Sequence, residues 1–510
     1  MTKILDATLR DGGYYTNWDF PQEVVDAYIK AMNILPVDYL ELGYRNNPTK
    51  EYMGKFGYCP VSILEHIRQT CTKKLAVMLN EKSTRPEDLE TLLGPIVGLV
   101  DMVRMAIDPK NFDRAVVLAR EVKAMGFEVG FNVMYMSKWM TEYPEFLNKL
   151  NVLDSFADLF CMVDSFGGIT PSDLTAIVKK VRTQTKCPIG FHGHNNLEMG
   201  LINTLTAMKL GCEYVDVTIL GMGRGAGNAK TELLLTYLNA HEALDVDFNV
   251  LGDVVSAFTP LLEKYQWGTN LPYMLAGANR IPQKEVMDWV TNRVYSFNSI
   301  VRALNNRKNN TIDNAKYPEF VAEKKFGKII VVGGGDSVKE HLEGIKAFID
   351  SNTALVFSTA RHAALFADID CLKYYALVGT ESRRMSANVK ADGFKDIVIL
   401  PPYPRTMGTE VPIFAEQNTF ELSSVDFVGD YKDSSTTIAF QTALCLSFGQ
   451  IYCIGYDGYP GGVLSEKEVA LTHENKIIFE AVSNVLGHKL QSLTPSIYKE
   501  LDIVSVYQFI

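Results

Sequence analysis

The chain is predicted to be an α/β protein: a (β/α)₈ barrel with a helical extension, followed by a second, three-layer Rossmann-like α/β domain. Two observations predict the barrel. Eight short apolar runs recur over the first 220 residues, and most are separated by stretches with helical spacing. Alternating strands and helices imply a parallel sheet, and eight strands with no break suit a closed barrel better than an open sheet. A third observation predicts the second domain. After a polar stretch at 305–320, a fresh strand starts at Lys328 and leads into a glycine-rich turn.

The barrel strands are read as KILDA (3–7), DYLELG (38–43), KLAVML (74–79), VDMVRMA (100–106), EVGFNVM (128–134), DLFCMVD (158–164), CPIGFH (187–192) and EYVDVTIL (213–220). PQEVVDAYIKAM and FDRAVVLAREVKAM are typical of the helical stretches between them. Residues 230–310 read as mostly helical. The expected boundaries are a barrel over 1–245, a helical extension over 246–310, a linker over 311–327 and the second domain over 328–510. Its strand candidates after KIIVV are ALVFST (354–359), YYALVG (374–379), DIVILP (396–401), DFVG (426–429) and IYCIGYDG (451–458).

Length and composition bound the function. With 510 residues, two or more domains are expected. Apolar residues make up 47% and charged residues 22%, as in ordinary globular proteins. A formal net charge of −10 repels phosphate backbones and anionic lipid, so neither nucleic acid nor membrane is an expected partner. No apolar stretch reaches the roughly 18–20 residues of a spanning helix, and no secretory signal is visible. The eight cysteines are scattered without a CxxC pair, so they read as reduced core thiols of a cytoplasmic protein.

The sharpest chemical feature is GFHGHNN (190–196). On a strand, positions i and i+2 face the same way, so His192 and His194 project together at the C-terminal end of the seventh strand. In a barrel that end carries the active site. Asp11 follows the first strand in LDATLRDGG, beside Arg10 and ahead of Gly12 and Gly13, which read as flexible. Asn228 in GRGAGNAKTE follows the eighth strand. Strands seven, eight and one are neighbours in a closed barrel, so the four groups converge. Such a mixed O/N set favours a divalent ion, Mn²⁺ or Mg²⁺ first, with Co²⁺ and Zn²⁺ as alternatives.

LRDGG, FHGHNN and GAGNxxxE together resemble the superfamily of 3-hydroxy-3-methylglutaryl-CoA lyase, isopropylmalate synthase and 4-hydroxy-2-oxovalerate aldolase. The resemblance covers about residues 1–310 and is strongest to the last of these. DSFGG (164–168) resembles that branch's substrate-binding turn. The resemblance implies that Asp11, His192 and His194 bind the metal with Asn228 as ligand or support. It further implies that Arg10 stabilises an enolate oxygen and that Ser165 binds the carboxylate of a pyruvate-like 2-oxo acid. Asp164 and Asn132 are further substrate-binding candidates. Where the branch has a histidine as acid/base, three residues after the metal aspartate, this chain has Tyr14. A phenol, with a reference pKa of about 10, is a poor base at neutral pH unless shifted. Tyr14, Glu41 and a metal-bound hydroxide are therefore the candidate bases, and Glu41 has the alternative of orienting Arg10 or Arg45.

In the second domain, VVGGGDSVKE (331–340) could let backbone N–H groups approach a phosphate. It is neither GxGxxG nor a P-loop. Gly333 and Ser337 are the candidate ligand residues there, with Asp336 and Asp457 near the same sheet mouth. The run 434–462 is faintly similar to motility-accessory glycosyltransferase-like proteins. The expected activity is a metal-dependent carbon–carbon lyase of the 4-hydroxy-2-oxo acid aldolase type. It would join or release pyruvate and an aldehyde, with a nucleotide-linked or anionic ligand in the second domain and assembly as a homo-oligomer. The alternatives are a Claisen-type acyl-CoA synthase and a nucleotide- or sugar-binding protein with a degenerate barrel.

Overall fold

The computed structural model describes residues 2–291, 295, 297–311, 314–379, 381–459 and 466–510. The chain divides into two compact units, Met1–Thr291 and Asn292–Ile510.

The first unit is a closed barrel of eight parallel strands. They are β1 (Lys3–Asp6), β2 (Tyr39–Tyr44), β3 (Lys74–Asn80), β4 (Met102–Ile107), β5 (Glu128–Val133), β6 (Leu159–Asp164), β7 (Ile189–Gly193) and β8 (Tyr214–Val217). All eight coincide with the apolar runs. β8 pairs with β1 and with β7, which closes the ring and sets the ends of β7, β8 and β1 side by side. Most of the apolar core lies between the strands and the surrounding helices, where Leu42, Val77, Val103, Phe131, Met162 and Val215 are all fully buried.

One local expectation is corrected. Gly12 and Gly13 are not a flexible pair: Thr8–Thr16 forms helix α1 directly after β1. Its glycines serve close packing. A Cβ on Gly12 would lie 2.6 Å from Met222 Sδ, and one on Gly13 would lie 2.0 Å from the Trp18 ring. Arg10 and Asp11 therefore ride on the first turn of a packed helix.

Residues after β8 are helical as expected, over Thr231–Glu242, Phe248–Tyr265, Leu271–Ala278 and Gln283–Thr291. The helix expected across 292–296 falls largely on residues outside the described set. Phe297–Lys308 is helical and belongs to the second unit.

The second unit holds an eight-stranded, all-parallel sheet of Rossmann-like type. Its strands are β9 (Phe326–Val332), β10 (Thr353–Phe357), β11 (Leu372–Ala376), β12 (Ile397–Leu400), β13 (Thr419–Glu421), β14 (Ser447–Ile454), β15 (Gln491–Ser492) and β16 (Asp502–Ile503). Their order is β13-β12-β11-β10-β9-β14-β15-β16. Alternate residues of β9 enter opposite cores. Ile329 and Val331 pack with the helix Ser435–Leu446, whereas Ile330 and Val332 pack with Val338, Ile345 and Phe348. That alternation makes three layers. DFVG is not a strand; the strand at this edge is β13. Val425 and Val428 are both buried, and three-residue spacing cannot place two side chains on one face of a strand.

Candidate metal centre and active site

At the C-terminal mouth of the barrel, Asp11, His192 and His194 offer one ligand atom each, all within 4.8 Å of one another. All three side chains are buried. Each has its other polar atom occupied, which fixes its orientation. His194 Nδ1 lies 2.7 Å from the Asp164 carbonyl oxygen, so Nδ1 carries the proton and Nε2 keeps its lone pair. His192 Nδ1 lies 2.9 Å from Asp216 Oδ2, and its Nε2 lies 3.5 Å from Asp11 Oδ2. Asp11 Oδ1 accepts from Arg10 Nη1 at 2.6 Å, and its Oδ2 accepts from Asn228 Nδ2 at 2.6 Å. The Asn228 carboxamide oxygen is buried with no partner among the described residues. Carboxylate- and carbonyl-supported histidines beside a carboxylate are a donor set that suits a divalent ion.

At His194 and Asp11 the electrostatics agree with that use, whereas His192 would have to release a proton to ligate. Burial pushes the His194 pKa down to about 4, so the ring is neutral and able to ligate. Burial alone would lower His192 as well, but hydrogen bonds to Asp11 and Asp216 outweigh it and hold its pKa above the usual value. Burial would raise the Asp11 pKa, yet Arg10 and His192 hold it well below the carboxylate range.

Beneath this triad is a layer of four side chains from alternate strands: Glu41 (β2), Arg104 (β4), Cys161 (β6) and Asp216 (β8), as closed barrels commonly build. Arg104 Nη2 donates to Asp216 at 2.6 Å, its Nη1 lies 3.3 Å from Glu41, and its Nε donates to Asn132 Oδ1 at 2.8 Å. Glu41 also accepts from Arg10 Nε at 2.7 Å. Glu41 is 0% exposed and lies below the cavity, held between two guanidiniums. That geometry is the orienting arrangement, with Arg10 rather than Arg45 as its partner. Arg45 instead donates to backbone carbonyls of residues 58, 59 and 92. We expect Arg104→Met to cost about 3–5 kcal/mol, because Glu41 and Asp216 lose their shared cation inside the barrel. All four tryptophans (18, 139, 267 and 289) lie in the first unit, so fluorescence-detected urea unfolding of the intact chain reports that loss. Asp216→Asn should weaken metal affinity roughly 10–100-fold while leaving the ligands in place, as outer-shell changes do. Calorimetric titration with Mn²⁺ checks this.

Above the triad opens a cavity of about 300 Å³. Arg10, Asp11, Tyr14, Asn132, Ser165, His192 and His194 all line it, so most of the sequence-predicted residues are brought together. Ser165 Oγ accepts from the Tyr135 N–H at 2.8 Å, leaving its own proton for a ligand. The Tyr14 and Tyr44 hydroxyls are 2.9 Å apart. Asp164 does not line the cavity. Its carboxylate accepts backbone N–H groups of its own turn, from Gly167 at 3.1 Å and Ile169 at 3.3 Å, and burial pushes its pKa up to about 6. Its contribution to the site is the carbonyl that orients His194.

Gly333 and Ser337 belong to the second unit. Ser337 N donates to Asp457 Oδ2 at 2.9 Å, and its Oγ donates to Asp457 Oδ1. The Gly333 and Gly335 N–H groups donate to the carbonyls of residues 454 and 455. A carboxylate of the chain itself therefore already occupies donors that a phosphate would use.

Sequence reasoning missed Arg104, Asp216, Tyr44 and Arg224. Arg104 and Asp216 sit inside apolar runs (DMVRMA, YVDVTI). A charged residue at an inward position of such a run is the signal that could have found them.

Comparison with known proteins agrees with this geometry. The family model described as HMGL-like matches residues 103–255. The 4-hydroxy-2-oxovalerate aldolase of Chloroflexus aurantiacus is 30% identical over 270 residues, covering 51% of this chain and 76% of that one. The protein of the same name from Thermomicrobium roseum is 32% identical over 255 residues, covering 48% and 69%. A crystal structure of the N-terminal domain of a Bacteroides vulgatus protein assigned as an aldolase is 70% identical, with a TM-score of 0.56. It covers 59% of this chain and 99% of that one. Through its barrel unit, the chain belongs to the 4-hydroxy-2-oxovalerate aldolase family.

Proposed function

We propose that the chain is a divalent-metal-dependent aldolase that breaks or forms the C3–C4 bond of a 4-hydroxy-2-oxo acid, with pyruvate as the enolate half. The observation that carries this reading is the Arg10 guanidinium at the wall of the cavity that both histidines line, 2.6 Å from Asp11. Asp11, His192 and His194 would hold the ion, with Asn228 in support. A bound divalent ion supplies Lewis-acid polarisation of the 2-oxo acid.

The chain's own groups do the rest. Ser165 and the Asn132 amide, whose oxygen is occupied by Arg104, offer donors to the substrate carboxylate. Arg10 is locked at Nε and Nη1 by Glu41 and Asp11, which leaves Nη2 to donate to the enolate oxygen. One such donor is typically worth about 3–4 kcal/mol in the transition state. Tyr14 and Tyr44 form a two-hydroxyl relay that accepts the 4-hydroxyl proton at one end and releases a proton to solvent at the other. The C3–C4 electron pair then passes to the enolate, C4 leaves as the aldehyde, and C3 takes a proton to give pyruvate.

The enolate step is testable without knowing the aldehyde. Deuterium should enter the pyruvate methyl group, as followed by mass spectrometry, when the intact protein is supplied with Mn²⁺ or Mg²⁺. It should enter at only the buffer rate after chelation. Full exchange by protein shown metal-free by elemental analysis would refute the reading.

A further inference from the structure

Arg224 stands apart from every other buried charge at the barrel mouth. The three carboxylates there are already engaged. Asp11 accepts from Arg10 and Asn228, Glu41 from Arg10, with Arg104 also 3.3 Å away, and Asp216 from Arg104 while bonded to His192. Arg224 lines the same cavity, yet its guanidinium makes no ion pair or hydrogen bond among the described residues. Its contact is with the Tyr14 ring, whose centroid lies 3.8 Å from the guanidinium carbon. A half-buried guanidinium without an acceptor oxygen is costly unless a ligand supplies one.

The side chain is held there by its turn. Gly225 and Gly227 take positive φ values of 64° and 79°, Tyr15 Oη donates to the Gly225 carbonyl at 2.8 Å, and Gly227 N donates to the Arg224 carbonyl at 3.1 Å. Lys284 adds a further positive charge to the cavity lining, beside Arg224 and the paired Arg10. It is the second residue of the helix Gln283–Thr291, which Gln283 fixes to the mouth by donating to Asn196 Oδ1 at 2.5 Å.

Position separates the two halves of the substrate. Ser165 and Asn132 come from β6 and β5, across the ring from β8 and β1. Arg224 follows β8 and stacks on Tyr14 of α1, the group that handles the 4-hydroxyl. We propose that Arg224, with Lys284, makes a subsite for an anionic group on the aldehyde half, so that the second substrate is an aldehyde carrying a carboxylate or phosphate. The inference rests on the aldolase reading above and names its substrate class.

The test compares aldehydes matched in length with pyruvate and the intact protein. Succinic semialdehyde is set against butanal, and glyceraldehyde 3-phosphate against glyceraldehyde. The better anionic member should be favoured in kcat/KM by on the order of 10–100-fold, as expected for hydrogen bonds to a charged group. The two pairs separate carboxylate from phosphate. In Arg224→Met the ratio should fall to within a few-fold of one, and Arg224→Lys should keep part of it. The readout is a ratio within each protein, so a general loss of activity cancels. Pyruvate exchange without aldehyde keeps the two readings distinct. If exchange occurs but charged and neutral aldehydes react equally, or no charged aldehyde reacts, the subsite is wrong and the aldolase stands. If Arg224→Met raises the KM of pyruvate and leaves the ratio unmoved, Arg224 belongs to the pyruvate half and the proposal falls. Absence of exchange removes both readings.

Discussion

Replacing His194 with alanine should leave a protein that neither retains its metal through gel filtration nor exchanges pyruvate protons above background. His194 is the triad's most committed candidate ligand. Its Nδ1–H is held by the Asp164 carbonyl, burial keeps the ring neutral, and Nε2 has no hydrogen-bond partner among the described residues. Its loss leaves one imidazole and one carboxylate, too few to hold a labile divalent ion. The fall in affinity should exceed the roughly 10–100-fold seen when only a residue supporting a ligand is changed. Elemental analysis of the dialysed variant, beside a melting curve to show that it is folded, is the measurement. Stoichiometric metal and near-normal exchange in a folded His194→Ala protein would exclude the assigned centre.

Arg10→Lys should lower kcat roughly 10²-fold or more. The guanidinium makes three separate commitments at once. Nε binds Glu41, Nη1 binds Asp11, and Nη2 remains for the substrate oxygen. An ammonium is a point donor that cannot span Glu41 and Asp11 and also present a fixed N–H to the cavity. Since proton exchange passes through the same enolate, it should fall by a similar factor, and the KM for pyruvate should change less than kcat. A variant with slowed cleavage but normal exchange would place Arg10 at a later step.

The candidate metal ligands were legible because the barrel's geometry is written locally. HxH at the end of an apolar run must put both rings on one side, and strand order makes the ends of β7, β8 and β1 neighbours. Glu41 shows where that logic stops. Its position in β2 put it on the inward face, but Arg10 and Arg104 hold it at 2.7 and 3.3 Å and it does not line the cavity. Arg104 is 63 residues away from Glu41 and 112 from Asp216, so no local pattern links them. DFVG failed for a related reason: apolar content marks burial, and a buried turn carries the same residues as a strand.

By itself the sequence determined the eight-strand barrel, the second parallel α/β unit and the convergence of Asp11, His192, His194 and Asn228. Each follows from periodicity and from the fixed neighbours of a closed ring. Only the tertiary structure decided which charges neutralise one another. Pairing in the barrel interior depends on side chains from strands far apart in sequence meeting at distances near 3 Å. That pairing turned Glu41 from a candidate base into support for Arg10, made Asp164 a prop for His194, and satisfied Ser337 with Asp457. Among the described residues it also left Arg224 without an acceptor, because the carboxylates around it were already bonded to other groups.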